Sequence, residues 1–282
     1  VNDHDEVVGL DELNRTPLYW PDPLSEPIIL PLLEGHDRGT AFRINNQSVV
    51  VGQSSDSEVG THHPVAWQIA YVDGELVVSS PIDLGTLVAG GWGGSAIDVA
   101  DTDELTTRVV GIAADEEGNT RSVMWEMTNV LDDQGNPELT VQSGPADLGA
   151  LPGDAGNTAR AMNNQGDVCG SPGSLTLYGL PMIALANPKP NENGLSEPND
   201  INDSLEIVGQ HFYGTGESMT VLWQADGATV DLNKSAKGTE WADLADANAI
   251  NNHGAIAGWG ARYLNGKKNS PKVRAAYIML PQ

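Results

Sequence analysis

Nine residues, Ile250-Asn251-Asn252-His253-Gly254-Ala255-Ile256-Ala257-Gly258, form a unit that returns along the whole chain. It recurs as Val1-Asn2-Asp3-His4-Asp5-Glu6-Val7-Val8-Gly9 and Ile44-Asn45-Asn46-Gln47-Ser48-Val49-Val50-Val51-Gly52. Two further copies are Met162-Asn163-Asn164-Gln165-Gly166-Asp167-Val168-Cys169-Gly170 and Ile201-Asn202-Asp203-Ser204-Leu205-Glu206-Ile207-Val208-Gly209. In all five, the first Asn and the closing Gly are seven residues apart. An apolar residue, Asn-Asn or Asn-Asp, and then an apolar run ending in Gly reads as a tight β-hairpin. Asn and Asp bond to their own backbone and tolerate left-handed geometry, and Gly accepts positive φ. The asparagines are therefore read as turn formers, and His4 and His253 as solvated residues at turn tips.

Two more signatures follow each hairpin. One is a short apolar strand ending in an aromatic residue: Leu18-Tyr19-Trp20, Val65-Ala66-Trp67, Val123-Met124-Trp125 and Val221-Leu222-Trp223, with Ala275-Ala276-Tyr277 as the last copy. The other is Asp83-Leu84-Gly85, Asp147-Leu148-Gly149, Asp231-Leu232-Asn233 and the degenerate Ile29-Leu30-Pro31. Each period thus holds four short strands: A before the hairpin turn, B after it, C with the aromatic residue and D with Asp-Leu-Gly. Periods of about 40–60 residues match a four-stranded propeller blade. Such a sheet cannot cover both of its faces, so blades must stack on one another. The expectation is an all-β six-bladed β-propeller forming a single domain over residues 1–282. Its repeats run approximately 1–40, 41–95, 96–158, 159–197, 198–246 and 247–282, with one or more N-terminal strands missing.

The order Asp-Leu-Gly-Thr-Leu at residues 83–87, a Gly-rich linker, Ala-x-Ala-Ile, Val-Val-Gly and an apolar strand ending in Trp resembles the HAF repeat family of extracellular repeat proteins. The segment Ala247 to Pro281 looks like that family's last repeat. The resemblance spans nearly the whole chain and implies a secreted bacterial or archaeal protein, extracellular or periplasmic, without a generally assigned activity. Because the sequence begins inside a repeat, the export signal is expected upstream, and the last blade is expected to carry a gap or an open edge. Two repeats depart from the pattern. The third has Val99-Ala100-Asp101 and extra residues before Val109-Val110-Gly111. In the fourth, Pro181-Met182-Ile183-Ala184-Leu185 stands as strand C without its Trp, and strand D is sought in the Pro/Asn-rich run 187–198.

Bulk properties narrow the partners. No segment keeps a helical apolar stripe for three turns, and no apolar run approaches the ~18 residues of a membrane span. The net charge of -25, with 14 Lys and Arg against 39 Asp and Glu, disfavours nucleic acid, which needs clustered cations against its phosphates. The lone cysteine, Cys169, excludes an internal disulfide and reads as a small buried apolar residue. No cofactor is expected. Acidic runs such as Asp101-Thr102-Asp103-Glu104, Asp115-Glu116-Glu117-Gly118-Asn119 and Asp132-Asp133-Gln134-Gly135-Asn136 could take Ca²⁺, although none has EF-hand spacing.

Propeller topology would gather the B–C and D–A loops on one face, and the residues that break the repeat fall in those loops. The candidate ligand-binding set is Trp92, Trp241, Trp259, Asp37, Arg262 and Tyr263. Exposed aromatic rings beside charged groups suit a glycan, whose apolar faces stack while its hydroxyls take hydrogen bonds. The candidate catalytic set is His36, Arg38, His62, His63, His211 and Tyr213, which could serve β-elimination of a uronate. Three readings follow. The first is an extracellular module binding a polysaccharide or surface protein. The second is a polysaccharide-degrading lyase or glycoside hydrolase, and the third a purely structural cell-surface module.

Overall fold

A computed structural model describes residues 1–88, 93–103, 105–131, 137–190, 192–214, 216–236, 240–266 and 270–281. The chain is all-β, with 57% of residues in strands and 2% in helix, and among the described residues it forms six small antiparallel sheets. Two compact units divide it, Val1–Ala159 and Arg160–Gln282, within a residue of the expected junction between repeats three and four.

The first unit holds three sheets. The first is β1 (Val7–Asp11), β2 (Thr16–Trp20) and β3 (Ile28–Ile29). The second is β4 (Arg38–Ile44), β5 (Val49–Asp56) and β6 (Thr61–Val72), whose far end pairs β7 (Glu75–Val78) and whose near end pairs β8 (Ile82–Asp83). The third is β9 (Gly94–Asp101), β10 (Thr106–Ala114), β11 (Thr120–Leu131) and β12 (Pro137–Asp147).

The second unit holds the other three. The fourth sheet is β13 (Thr158–Met162), β14 (Val168–Ser171), β15 (Ser174–Thr176) and β16 (Ile183–Ala184). The fifth is β17 (Gly194–Ile201), β18 (Ile207–Tyr213), β19 (Ser218–Trp223) and β20 (Thr229–Asp231). The sixth is β21 (Trp241–Ile250), β22 (Ile256–Tyr263) and β23 (Lys272–Met279); a single-turn helix α1 (Leu232–Ser235) precedes it. Strands follow chain order across each sheet, as the A-B-C-D reading requires.

The fourth repeat corrects the sequence reading. Its strand C is β15, and Ile183-Ala184, expected in strand C, forms the outer strand β16. The Leu185 N–H donates to Gly173 O, as the Leu30 and Leu84 N–H groups do to Pro17 and Pro64. Strand D therefore precedes residue 187 and not the run after it. Without a Trp in β15, no sequence mark told C from D.

The Asn motif explains itself at atomic level. In each of the five turns the Oδ1 of the first Asn accepts the N–H four residues on: 3.0 Å for Asn2, 2.8 Å for Asn45 and 2.9 Å for Asn163, Asn202 and Asn251. The fourth residue is left-handed in every copy, at φ 62 for Asp5, 56 for Ser48, 87 for Gly166, 59 for Leu205 and 75 for Gly254. That is the hairpin with a left-handed bulge residue, and the Asn side chain satisfies the N–H which the bulge would otherwise leave open.

The same Asn also reaches the next repeat. Asn2 Nδ2 donates to Asn45 O at 2.9 Å, Asn163 Nδ2 to Asn202 O at 3.2 Å, and Asn202 Nδ2 to Asn251 O at 3.2 Å. A parallel chain runs through the second position, with Asp3 N–H on Asn46, Asn164 N–H on Asp203 and Asp203 N–H on Asn252. The third repeat breaks the series: Thr102 stands where Asn is expected, Asn45 Nδ2 is buried without a partner, and Asn46 N–H turns to Asp101 instead.

Strand B is apolar on both faces because both are covered. Val49 and Val51 face the core between sheets two and three, while Val50 faces the core between sheets one and two. Ile207 and Val208 divide in the same way in the second unit. Each such buried side chain contributes roughly 1.5–3 kcal/mol. Trp67, Trp125 and Trp223 are buried in the core, whereas Trp20 at the same repeat position is only partly buried and its neighbour Tyr19 is enclosed instead; the indole N–H groups of Trp67 and Trp223 each donate at 2.8 Å to a carbonyl, of Pro31 and Ala186 respectively. Cys169 is buried in the core of the fourth and fifth sheets.

The closing Gly answers a kink in strand A. Opposite it the register slips by one residue, at Phe42, Ile97, Asn199 and Asn248. A Cβ on Gly52, Gly111, Gly209 or Gly258 would lie 1.9, 2.0, 2.2 or 2.1 Å from a strand A carbonyl oxygen. Only Gly fits there.

Two substitutions separate these roles. Asn202→Ala should lower unfolding stability by about 1–3 kcal/mol, because a turn N–H loses its acceptor. Gly209→Ala should cost at least about 1–3 kcal/mol through the clash with Glu197 O. Urea denaturation of the two variants checks both, and an unchanged midpoint for either would remove the corresponding role.

Candidate functional site

The residues expected in loops stand largely on strand extensions. His62 and His63 lie in β6, His211, Phe212 and Tyr213 in β18, Trp259, Arg262 and Tyr263 in β22, and Trp241 opens β21. The reason is that the B–C hairpins are longer than the motif suggests. The β5–β6 ladder runs to Asp56↔Thr61, where Asp56 Oδ1 accepts the N–H groups of Glu58 and Val59 and Gly60 takes φ 77. Asp115 caps its own turn in the same way, accepting from Glu117 and Asn119, and Asp103 accepts from Leu105 and Thr106. These carboxylates serve backbone donors. Among the described residues no group of three or more His, Cys, Asp or Glu side chains is arranged to hold a metal ion. The acidic run at 132–136 and Trp92 lie outside the described residues.

In the first unit the candidate residues part into two groups. Adjacent residues on a strand point to opposite faces, and His62 and His63 do so. His63 Nδ1 donates to Asp83 Oδ2 at 2.8 Å, and its ring meets that of His36 edge-on, 5.2 Å between centroids. His36 Nδ1 in turn shares a hydrogen bond of 2.9 Å with the buried Ser54 Oγ. His62 is exposed and bonds Ser55 Oγ at 2.9 Å. It lines a cleft of about 360 Å³ together with Arg38. Asp37 lies 3.7 Å from the Arg38 guanidinium, but its carboxylate is taken up by the Ser57 hydroxyl and N–H, which hold it below the usual carboxylate range.

In the second unit His211 and Tyr213 stack edge-on at 4.9 Å, and Lys189 Nζ sits 3.9 Å above the Tyr213 ring. His211 is only 1% exposed; its Nδ1 meets Ser196 Oγ at 2.9 Å, and its Nε2 lies against the open α-carbon of Gly194 with no hydrogen-bond partner. Burial, and then the Lys189 charge, hold its pKa below the ordinary histidine value. Burial raises that of Tyr213.

Tyr213 also forms one wall of an open cleft of about 580 Å³. Trp241 and Tyr263 line it as well, so three aromatic residues singled out from sequence meet here. Trp241 rests edge-on against Tyr277 of the core, 5.7 Å away, which fixes its ring. Polar groups surround these rings: Lys189, Glu217, Asp231, Asn233, Lys234 and Asp243. Arg262, beside Tyr263, pairs with Glu240 at 3.5 Å, and Trp259 is covered by Arg274 at 3.8 Å; neither lines the cleft.

Sequence reasoning missed Lys189, Asp231, Asn233 and Asp243. Asn233 carried a signal, since it replaces the Gly of Asp-Leu-Gly. Its amide clamps strand β21 by donating to Leu244 O at 3.0 Å and accepting from Leu244 N at 2.6 Å. A second hollow of this unit, beside Glu206, His253 and Leu280, contains no Tyr or Trp.

No protein-family model matches the chain, and neither curated proteins nor solved structures yield a match.

A buried neutral histidine ties stability to pH. Its pKa is lower folded than unfolded, so below about pH 6.5 the unfolded chain takes up a proton that the folded chain resists. Stability should therefore decline as pH falls from about 6.5 towards the depressed folded value. In His211→Gln this component should vanish, as measured by urea midpoints at successive pH values.

Proposed function

We propose that the chain is an extracellular glycan-binding module of the β-propeller kind, similar to HAF repeats, whose ligand lies in the cleft of Tyr213, Trp241 and Tyr263. The convergence of these three rings in one open cleft is the observation that carries the reading. Sugar rings present apolar faces to aromatic side chains, and the acids, lysines and Asn233 around the cleft can bond hydroxyls. The rings are set before any ligand arrives, Trp241 by Tyr277 and Tyr213 by His211, which lowers the ordering cost of binding.

The alternative, a lyase or glycoside hydrolase, draws on the same residues but has less support. His211 is enclosed and presents no nitrogen to the cleft, so Tyr213 alone of its unit's candidate catalytic pair could meet a substrate. The propeller reading rests on six sheets made from one repeat and on asparagine bonds that join neighbouring repeats within each unit.

Two measurements test these proposals. A closed ring of this length should scatter X-rays with a radius of gyration of about 19 Å, and an extended array would be far larger. On a glycan array followed by calorimetry, Tyr263→Ala should weaken the retained glycan about tenfold or more. Retention of full affinity, or no bound glycan at all, would rule out the cleft as a sugar site.

A further inference from the structure

We propose that the first unit carries a separate oxyanion site, formed by Arg15, Arg38 and His62, which takes a carboxylate or sulfate group of a ligand. It shares no residue with the cleft of the second unit and does not depend on that cleft binding a sugar.

Arg15 was not singled out by sequence, because it lies in the β1–β2 turn, far from Arg38 in the repeat. The fold joins them. Arg15 is the left-handed residue of its turn, at φ 56, and its carbonyl accepts the Gly39 N–H at 2.8 Å. A side chain on Gly39 would meet Leu32 at 2.5 Å and Gln53 O at 2.9 Å, so Gly is required here by the packing of β4 on Leu32 and β5. Arg15, Arg38 and His62 then line one cleft of about 360 Å³.

The charge around them is what makes this a site. The chain has 39 acidic against 14 basic side chains, so two arginines and a histidine lining one cleft concentrate cationic donors on a surface that is otherwise mostly acidic. Arg108, Arg121 and Arg262 each meet a carboxylate at 3.5 Å or less. Among the described residues, Arg15 has no ion pair, and Arg38 has only the Asp37 contact at 3.7 Å, too long for a hydrogen bond. Of the nearby carboxylates, Asp37 is held by Ser57, and Asp56, which lines the same cleft, accepts the N–H groups of Glu58 and Val59 through its Oδ1. His62 Nδ1 is held by Ser55, which leaves its outer nitrogen for a ligand. Two planar donor forks and an imidazole fit the oxygens of a carboxylate or sulfate, which arginine binds in bidentate fashion.

The test is calorimetric titration of the full chain with sodium glucuronate and with sodium sulfate at fixed ionic strength. Binding of either anion at millimolar concentration is expected. Arg15→Ala and Arg38→Ala should each weaken it about tenfold, with Arg38→Lys weakening it less because charge is kept while the fork is lost. Glucuronate binding alone would identify a carboxylate site, and sulfate binding alone a sulfate-ester site; both sustain the proposal. Absence of binding by both anions, or equal affinity in the Arg15→Ala/Arg38→Ala double variant with an unchanged unfolding midpoint, would overturn it.

Discussion

A turn that ends in a left-handed residue leaves one N–H pointing inwards, away from the strand ladder. In this protein a carboxamide one methylene from the backbone takes that N–H, and its other end is a donor. Asn is the only short side chain carrying an acceptor and a donor at that reach, since Asp lacks the donor and Ser lacks the span. The donor finds the carbonyl of the equivalent Asn in the next repeat, as from Asn2 to Asn45 and from Asn163 through Asn202 to Asn251. One side chain thus closes a hairpin and sets the distance between two sheets. The rest of each unit follows from that spacing: strand B must be apolar on both faces, and the Trp of strand C must fill the gap between sheets.

The third repeat shows what happens without it. Thr102 can bond within its own turn, to Thr106 O, but has no amide to offer. Asn45 is left with a buried Nδ2, and the link is carried by substitutes, the Asn46 N–H donating to the Asp101 carboxylate and the Gln47 side-chain amide to Asp103 O. Sheet packing survives because apolar burial holds these sheets together: Trp125 and Met127 are fully buried there. The asparagine bonds are therefore better regarded as a device for register than as the main source of stability.

Both proposed sites sit where the repeat is least regular, at strand ends and in the turns between sheets. The aromatic cleft draws on β18, β19, β21, β22 and the segment around α1, so no single repeat encodes it. The same is true of the arginine cleft, whose two cations come from different sheets. A repeat scaffold supplies fixed edges at fixed spacing, and substitutions on those edges change the ligand without disturbing the core.

The sequence by itself determined most of the strands and their order, because each depends on local chemistry that repeats: Asn at the turn, Gly opposite the bulge, a continuous apolar run in strand B. It also marked Tyr213, Trp241 and Tyr263 as departures from the pattern. It did not separate strand D from strand C in the fourth repeat, where the aromatic mark is lost. Only the tertiary structure decided which departures meet. It buried His211 and set the ring of His63 against that of His36. It also brought Arg15 to Arg38 across 23 residues of chain through a single backbone bond at Gly39. Repetition fixes what each position does within its own sheet, but contacts between sheets depend on side-chain direction and spacing, which no period in the sequence records.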